Sequence, residues 1–446
     1  MKRNILAFAS AVALVFVAAK ASAQTDSEKT TARAAAPTAP AAPAKAPATI
    51  SPAELSKATP NDVARFLAGM APSADSPLIV PSAEKTWADH AKFFDTAWAD
   101  LDKKQLAKVR AWAASYIPDA SKSNAPLFYM FSGPDYLYAN AFFPNASTYI
   151  LCGIEPVGTM PDIGKIKPGT LGNELHDLQN SLNSVLSFSF FITKDMKNDL
   201  QNHEINGTLP LILIFVARAG NTINDVSFVG IDSDGKVRPV DDPAKSHLIP
   251  GAKITFTQPN AAQPQMLYYF DTDISDDGIK HTPGFLKYCQ SLAPGDSFVK
   301  SASYLMHENY FATIRNFLLK NSLTLVQDDS GIPISYFTPD QWALRYFGSY
   351  PGPIDLFKKD FQPQLSTEYK KSHPIPLDFG IGYRHYASQS TLILATHKPA
   401  GNSPTTPSAV PATPAASPAA SPAAAPATSQ SAPTSAPLAS TAHAGN

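Results

Sequence analysis

The aromatic residues of this chain are confined to one segment, and that segment sets the limits of what can fold. Of the 45 Phe, Tyr and Trp residues, 43 lie between residues 50 and 398. The other two, Phe8 and Phe16, belong to a short apolar stretch near the N-terminus. A segment without large apolar side chains cannot offset the entropy cost of ordering its backbone. We therefore expect one globular body over residues 50–398.

The two segments that flank this body are rich in Ala and Pro. Residues 24–49 combine Ala, Pro and Thr with a few charges, and residues 399–446 are almost entirely Ala, Pro, Ser and Thr. Such compositions favour extended polyproline-II backbone without a packed core. We predict a disordered linker over residues 24–49 and a disordered tail over residues 399–446.

The first 23 residues have the organisation of a secretory signal peptide. Lys2 and Arg3 precede an uncharged, mostly apolar run from Ile5 to Ala19. The small-x-small triplet Ala21-Ser22-Ala23 is typical of a signal peptidase site, so we predict cleavage before Gln24 and a periplasmic or secreted protein. The apolar run is shorter than the roughly 20 residues needed to span a bilayer. We expect no transmembrane segment in the mature chain.

The charge of the mature chain argues against polyanionic partners. Once the three basic residues of the signal are removed, 33 Lys and Arg stand against 37 Asp and Glu, and no basic run occurs along the chain. A nucleic-acid-binding protein would show a basic patch or stripe. We expect no nucleic acid partner, and an envelope component or small molecule is the class of ligand that export favours.

The two cysteines, Cys152 and Cys289, leave two alternatives. Export permits a disulfide. However, Cys152 lies in the apolar run Tyr149-Ile150-Leu151-Cys152, which is typical of a buried strand, and buried free cysteines behave as small apolar groups. We predict two free thiols, with a disulfide as the alternative.

The apolar patterning predicts an α/β or α+β body with one mixed sheet and a helical N-terminal region. Leu171, Leu175, Leu178 and Leu182 have the spacing of a core-facing helix. The predicted strands include 127–131, 148–154, 211–217, 266–270 and 323–326. We also predict a short helix over 341–347 and a closing hairpin from 379–386 and 391–396.

Motifs for cofactors and common active sites are incomplete in this chain. The loop from Gly158 to Lys165 is one residue too long for a phosphate-binding loop and is followed by Ile166 instead of a hydroxyl residue. Gly295-Asp296-Ser297 is similar to the nucleophile block of GDSL-type lipases, but no Asp-x-x-His follows near the C-terminus, so a turn is the simpler interpretation. We predict no cofactor.

Two groups of residues remain as candidate sites. Four carboxylates within seven residues could bind a hard cation such as calcium, although the spacing is not that of an EF-hand; a solvated loop is the alternative. These metal candidates are Asp271, Asp273, Asp276 and Asp277.

The second group follows two predicted strands. Ser132 and Asp135 follow the strand at 127–131, and Asp328 and Asp329 follow the strand at 323–326. Ligands in open α/β sheets bind where strands end and helices begin. If both strands are parallel members of one sheet, these catalytic candidates face one crevice. The alternative is that they are ordinary helix-capping and turn residues.

Two stretches of the chain resemble a family of conserved exported bacterial proteins of unknown function. They run from Phe131-Ser132-Gly133-Pro134-Asp135 to Gly153-Ile154-Glu155-Pro156-Val157-Gly158, and from Gln327 to Pro333. The resemblance implies one structural unit and no particular activity. Two functional hypotheses therefore stand: binding of an envelope component or small molecule, or a hydrolase-type enzyme with its site around Ser132 and Asp328. Whether the protein is an enzyme stays open.

Overall fold

The structure of the protein, a computed structural model, describes residues 50–188 and 204–398. The predicted signal peptide (1–23), linker (24–49) and tail (399–446) lie outside the described residues. Within the described part, none of the helices is both long enough and apolar enough to cross a membrane.

Ten strands form one mixed sheet, in agreement with the predicted fold class. The strands are β1 (Leu127–Tyr129), β2 (Thr148–Gly153), β3 (Thr222–Ile231), β4 (Val237–Pro239), β5 (Ile249–Thr257), β6 (Gln265–Asp271), β7 (Gly295–Val299), β8 (Ser322–Gln327), β9 (Trp342–Gly348) and β10 (Thr391–His397). Their order across the sheet is β4-β3-β5-β6-β2-β1-β7-β8-β10-β9. The five central strands, from β6 to β8, are parallel, and the remaining pairings are antiparallel.

Helices cover both faces of this sheet. They are α1 (Pro52–Leu55), α2 (Pro60–Leu67), α3 (Ile79–Ser82), α4 (Lys85–Leu101), α5 (Ala107–Tyr116), α6 (Pro118–Lys122), α7 (Tyr136–Phe142), α8 (Leu171–Phe188), α9 (Leu209–Arg218), α10 (Asp276–His281), α11 (Gly284–Ser291), α12 (Ala312–Asn321) and α13 (Pro363–Lys371). A π-helical turn at Asp102–Leu106 joins α4 to α5.

The sheet separates two hydrophobic cores because successive side chains of a strand point to opposite faces. In β1, Leu127 and Tyr129 lie in the larger core, whereas Phe128 lies in the other. The larger core also contains buried side chains of α2, α4, α5, α7, α8 and α9, and the smaller core those of α10, α11 and α12. The result is a three-layer α/β/α arrangement.

The order of the parallel strands reverses between β1 and β7. Numbered one to five along the chain, the parallel strands stand in the order 3-2-1-4-5. The chain leaves β1 into α7 in the larger core and leaves β7 towards α12 in the smaller core. Because the two connections depart to opposite faces, the carboxyl ends of β1 and β7 lie at the position where doubly wound proteins bind their ligands.

One predicted strand is a helix. Residues 211–217 belong to α9, in which nine consecutive residues from Leu209 to Ala217 are buried. A continuous apolar run fits a central strand and a fully buried helix equally well. The prediction was wrong because this segment packs against α2 and α7 and is enclosed by the larger core on all sides.

In the C-terminal part, the structure differs from the prediction in which strands pair and in which segments are helix or strand. Residues 342–348 form strand β9 and not a helix, and β10 pairs with β8 and β9. The predicted partner at 379–386 contains only an isolated bridge between Ile381 and Arg384. Gly295–Val299, interpreted as a turn, is the buried strand β7.

The prediction of two free thiols is confirmed. Cys152 and Cys289 are both free and buried. Burial raises the pKa of Cys152 to about 12, so this thiol stays protonated and unreactive at neutral pH.

Candidate functional site

The structure places the four catalytic candidates at the same edge of the sheet. Ser132 and Asp135 follow β1, whereas Asp328 and Asp329 follow β8. Because β7 pairs in parallel with both β1 and β8, the carboxyl ends of all three strands share one edge. The two pairs do not lie on adjacent strands, since β7 and the loop after it stand between them.

Lys300, at the end of β7, links the two halves of this edge. Its Nζ lies 2.8 Å from Oδ2 of Asp135, and both side chains are almost completely buried. The Tyr129 hydroxyl donates to the same carboxylate at 2.8 Å, and the Lys300 ammonium lies 4.5 Å from the centre of the Tyr138 ring. Removing one partner of such a pair would leave a buried charge uncompensated. The sequence analysis missed Lys300 because a lone lysine after a strand carries no motif.

Ser132 connects the turn after β1 to strand β2. Its Oγ accepts a hydrogen bond from the amide of Cys152 at 3.1 Å and donates to the carbonyl of Gly133 at 3.0 Å. Backbone groups therefore engage the Ser132 hydroxyl both as a donor and as an acceptor. A role for Ser132 as a nucleophile stays a prediction.

Side chains from two other segments hold the loop after β7 in place. Three successive amides of this loop donate to side-chain oxygens: Ser301 to Asp328 Oδ2 at 2.9 Å, Ala302 to Ser330 Oγ at 2.8 Å, and Ser303 to Tyr383 Oη at 3.2 Å. Asp328 also accepts from the amide of Ser330 at 2.9 Å. Asp328 thus organises the loop as well as its own turn.

Backbone strain is concentrated at the ends of β1 and β7. Of the six non-glycine residues with positive φ in the described part of the chain, four lie here: Phe131 (60°), Ser301 (52°), Ser303 (50°) and Tyr304 (56°). Such conformations cost of order 1–3 kcal/mol each and tend to cluster at active sites and ligand clamps. Their position on both sides of the strand-order reversal indicates a functional constraint there.

Asp329 is a buried acid in the same region. The Tyr304 hydroxyl donates to its Oδ2 at 2.6 Å. Burial and the neighbouring charge of Asp328 raise the pKa of Asp329 to about 7, and burial also raises the pKa of Asp328. A carboxyl group with a pKa near neutrality can donate and accept protons under physiological conditions.

Glu155 is a further functional candidate that the sequence analysis did not single out. It follows β2, is 6% exposed, and accepts from the amide of Ile154 through Oε2 at 3.1 Å. A Cβ on Gly153 would lie 2.2 Å from this oxygen, so a larger residue there would displace the Glu155 carboxylate. Glu155 stands 20 residues beyond Asp135, at the end of the second strand of a strand–helix–strand unit. That position was the signal that could have identified it.

One hydroxyl at this edge is buried without a partner. Among the described residues, no hydrogen-bonding group lies within reach of the Ser301 Oγ, although this atom is inaccessible to solvent. Buried polar atoms in folded proteins are nearly always hydrogen-bonded, so this hydroxyl has hydrogen-bonding capacity left for a further group.

The structure does not assemble the four metal candidates into a ligand set. Asp273 accepts from the amide of Ser275 at 2.9 Å, and Asp276 accepts from the amide of Thr313 at 2.8 Å. Asp277 lies 3.6 Å from His281 on an exposed face, and Asp271 ends β6. Over residues 50–188 and 204–398, no group of three or more His, Cys, Asp or Glu side chains could hold a metal ion.

The comparisons with known proteins do not add a relative to these observations. No protein-family model, no curated protein and no solved structure matches the chain. The function must therefore be argued from the strand-end edge itself.

Proposed function

We propose that this protein binds a small molecule containing a nucleoside at the carboxyl edge of the parallel strands, between the turn after β1 and the loop after β7. The observation that carries the proposal is the strand order 3-2-1-4-5 with its reversal between β1 and β7. In doubly wound sheets this reversal is where nucleotides and related ligands bind, because the flanking connections depart to opposite faces.

Glu155 supports a ribose as part of the ligand. Doubly wound nucleotide-binding proteins use an acidic residue about 20 residues beyond the first turn, near the end of the second strand, to accept hydrogen bonds from ribose hydroxyls. Glu155 occupies this place, next to Gly133 and Gly153, whose missing side chains allow close approach of the backbone. The strained loop after β7 and the buried Ser301 hydroxyl would contact the far side of the same ligand.

The hydrolase hypothesis has less support. It requires Ser132 as the nucleophile, and this hydroxyl is hydrogen-bonded to three backbone groups: the carbonyls of Gly133 and Cys152 and the amide of Cys152. Asp329, with its raised pKa, is the group that could give the site acid–base chemistry on a bound ligand. Export to the periplasm or beyond, membership of a conserved exported family and an envelope-related ligand stay predictions.

The proposal is tested by titrating the mature protein with a panel of nucleosides in a calorimeter. We expect saturable binding of at least one nucleoside, and we expect Glu155→Gln to weaken it at least tenfold, since a neutral amide accepts hydrogen bonds from the ribose hydroxyls less strongly. Glu84→Gln, at an exposed position before α4 with no side-chain cap, is the matched control and should bind like the wild type. No binding at millimolar nucleoside, or equal affinity of the Glu155 variant, would contradict the proposal.

A further inference from the structure

We infer, building on the proposed function, that the turn after β1 selects against phosphate. The ligand is then a nucleoside without phosphate groups, either neutral or positively charged. This turn and the helix after it form the phosphate-binding element of doubly wound nucleotide-binding proteins. In this protein, amides of the same element donate to groups of the chain itself, and its charged side chain is a carboxylate. Both features are the opposite of what phosphate binding requires.

Four amides of this turn and of the first turn of α7 donate to groups of the protein itself. Gly133 donates to the carbonyl of Cys152 at 3.2 Å, Asp135 donates to that of Ser132 at 3.3 Å, and Tyr136 donates to that of Pro134 at 2.7 Å. Pro134 has no N–H. The amide of Tyr138, in the first turn of α7, donates to the Asp135 carboxylate at 3.1 Å. A phosphate at this turn would find these backbone donors in use.

The charge at the turn also opposes phosphate. The Asp135 carboxylate takes the place at the start of α7 where a phosphate oxygen would accept hydrogen bonds. Lys300 neutralises Asp135 but is buried against it, so the pair offers no net positive charge to an incoming anion. Glu155, at the end of the neighbouring strand β2, adds a further carboxylate to the same edge.

These two features define the class of ligand. A phosphate would lose its hydration at this turn without gaining donors, and it would face carboxylates. A ribose that hydrogen-bonds to Glu155 suffers neither penalty. A cationic group such as an amine or a sulfonium would be attracted to the acidic edge.

The test compares four probes on the mature protein by calorimetry: adenosine, S-adenosylmethionine as a cationic nucleoside, ATP and NAD. We expect adenosine and S-adenosylmethionine to bind, and ATP and NAD to bind at least 30-fold more weakly. Raising the salt concentration should reduce this difference in affinity, because screening weakens the repulsion of phosphate and the attraction of the cation. Equal or tighter binding of ATP would overturn this inference and leave the proposed function standing. If no probe binds, the proposed function fails and this inference fails with it.

A pair of variants tests whether Asp135 is responsible for the selection against phosphate. Asp135→Asn should raise the ATP affinity at least fivefold relative to adenosine, because a negative charge is removed from the turn while Lys300 remains. Because the single variant leaves a buried lysine unpaired, the double variant Asp135→Asn/Lys300→Met is measured beside it. It removes one charge of each sign, so its selectivity against ATP should stay that of the wild type. Asp75→Asn, an exposed position, is the control and should leave the selectivity unchanged. An unchanged ratio of ATP to adenosine affinity in the folded single variant, or an equal rise of this ratio in the double variant, would contradict the assignment of this role to the Asp135 charge.

Discussion

At the scale of single residues, the two adjacent aspartates after β8 have different tasks. Asp328 accepts hydrogen bonds from the amides of Ser301 and Ser330 and from the Ser330 hydroxyl, so it ties the strained loop after β7 to its own turn. Asp329 accepts one hydrogen bond from a side chain, that of Tyr304. Sequence reasoning treated the two as equivalent, because neighbours in a turn cannot be distinguished without knowing which donors surround each of them.

Asp329 should make the stability of the protein depend on pH near neutrality. Its pKa is raised to about 7 in the folded state, whereas an unfolded chain has an ordinary aspartate near 3.9. Between these values the folded state binds a proton that the unfolded state does not, so stability is greatest at the acidic end and falls as the pH rises towards 7. For one such group, the free energy of unfolding changes by at most about 1.4 kcal/mol per pH unit. Urea unfolding from pH 5 to pH 8 measures it.

Substitution separates the tasks of the two aspartates. Asp329→Asn should flatten this pH dependence and leave the stability at pH 8 unchanged or higher, because the amide oxygen still accepts from Tyr304. Asp328→Asn should cost about 1–3 kcal/mol at every pH. Its single amide oxygen cannot accept from the amides of Ser301 and Ser330 together, so one of them loses its partner. A flat pH profile in the wild type, or an Asp328 variant as stable as the wild type, would refute these assignments.

At the scale of elements, helix α9 is the clearest case of tertiary context overriding a local pattern. Its apolar run is uninterrupted from Leu209 to Ala217, and all of these residues are buried between neighbouring helices and the sheet. A helix enclosed on every side needs no polar face, so the helical period that normally identifies a helix does not appear.

Truncation inside α9 should therefore be costly. Leu213 is 0% exposed, and Leu213→Ala should lower the free energy of unfolding by about 2–5 kcal/mol through lost burial and the cavity left behind. Leu323, on strand β8, is 50% exposed and provides the matched control: Leu323→Ala should change stability by no more than about 0.5 kcal/mol. Chemical denaturation of both variants compares them directly. If the two variants lost similar amounts of unfolding free energy, α9 would not be enclosed by the larger core.

At the scale of the whole molecule, one sheet connects the early and late parts of the body. β1 pairs with β7, and Trp112 of α5 contacts Phe347 of β9 with ring centres 4.9 Å apart. Limited proteolysis of the mature protein should therefore remove the two Ala/Pro-rich segments first and leave a fragment close to residues 50–398. Mass spectrometry of the time course identifies the fragment. Two stable halves released by an early internal cut would contradict the single-sheet arrangement.

The sequence by itself determined the local features of this protein. Period and composition correctly predicted strands β1, β2, β6 and β8, helix α8 and the mixed sheet, because these features depend on which side chains a short segment must bury. The turn residues Ser132, Asp135, Asp328 and Asp329 were found in the same way, from their position directly after apolar strands. Even their common edge followed once the strands were assumed to be parallel.

Only the tertiary structure decided which residues meet. The insertion of β7 between β1 and β8, the burial of Lys300 against Asp135, and the place of Glu155 beside Gly133 and Gly153 all join residues far apart along the chain. The same holds for β9 and α9, whose apolar residues suit either a strand or a helix until the neighbours are known. Local pattern records how much a segment must bury, whereas pairing and electrostatic environment depend on long-range contacts that no single segment encodes.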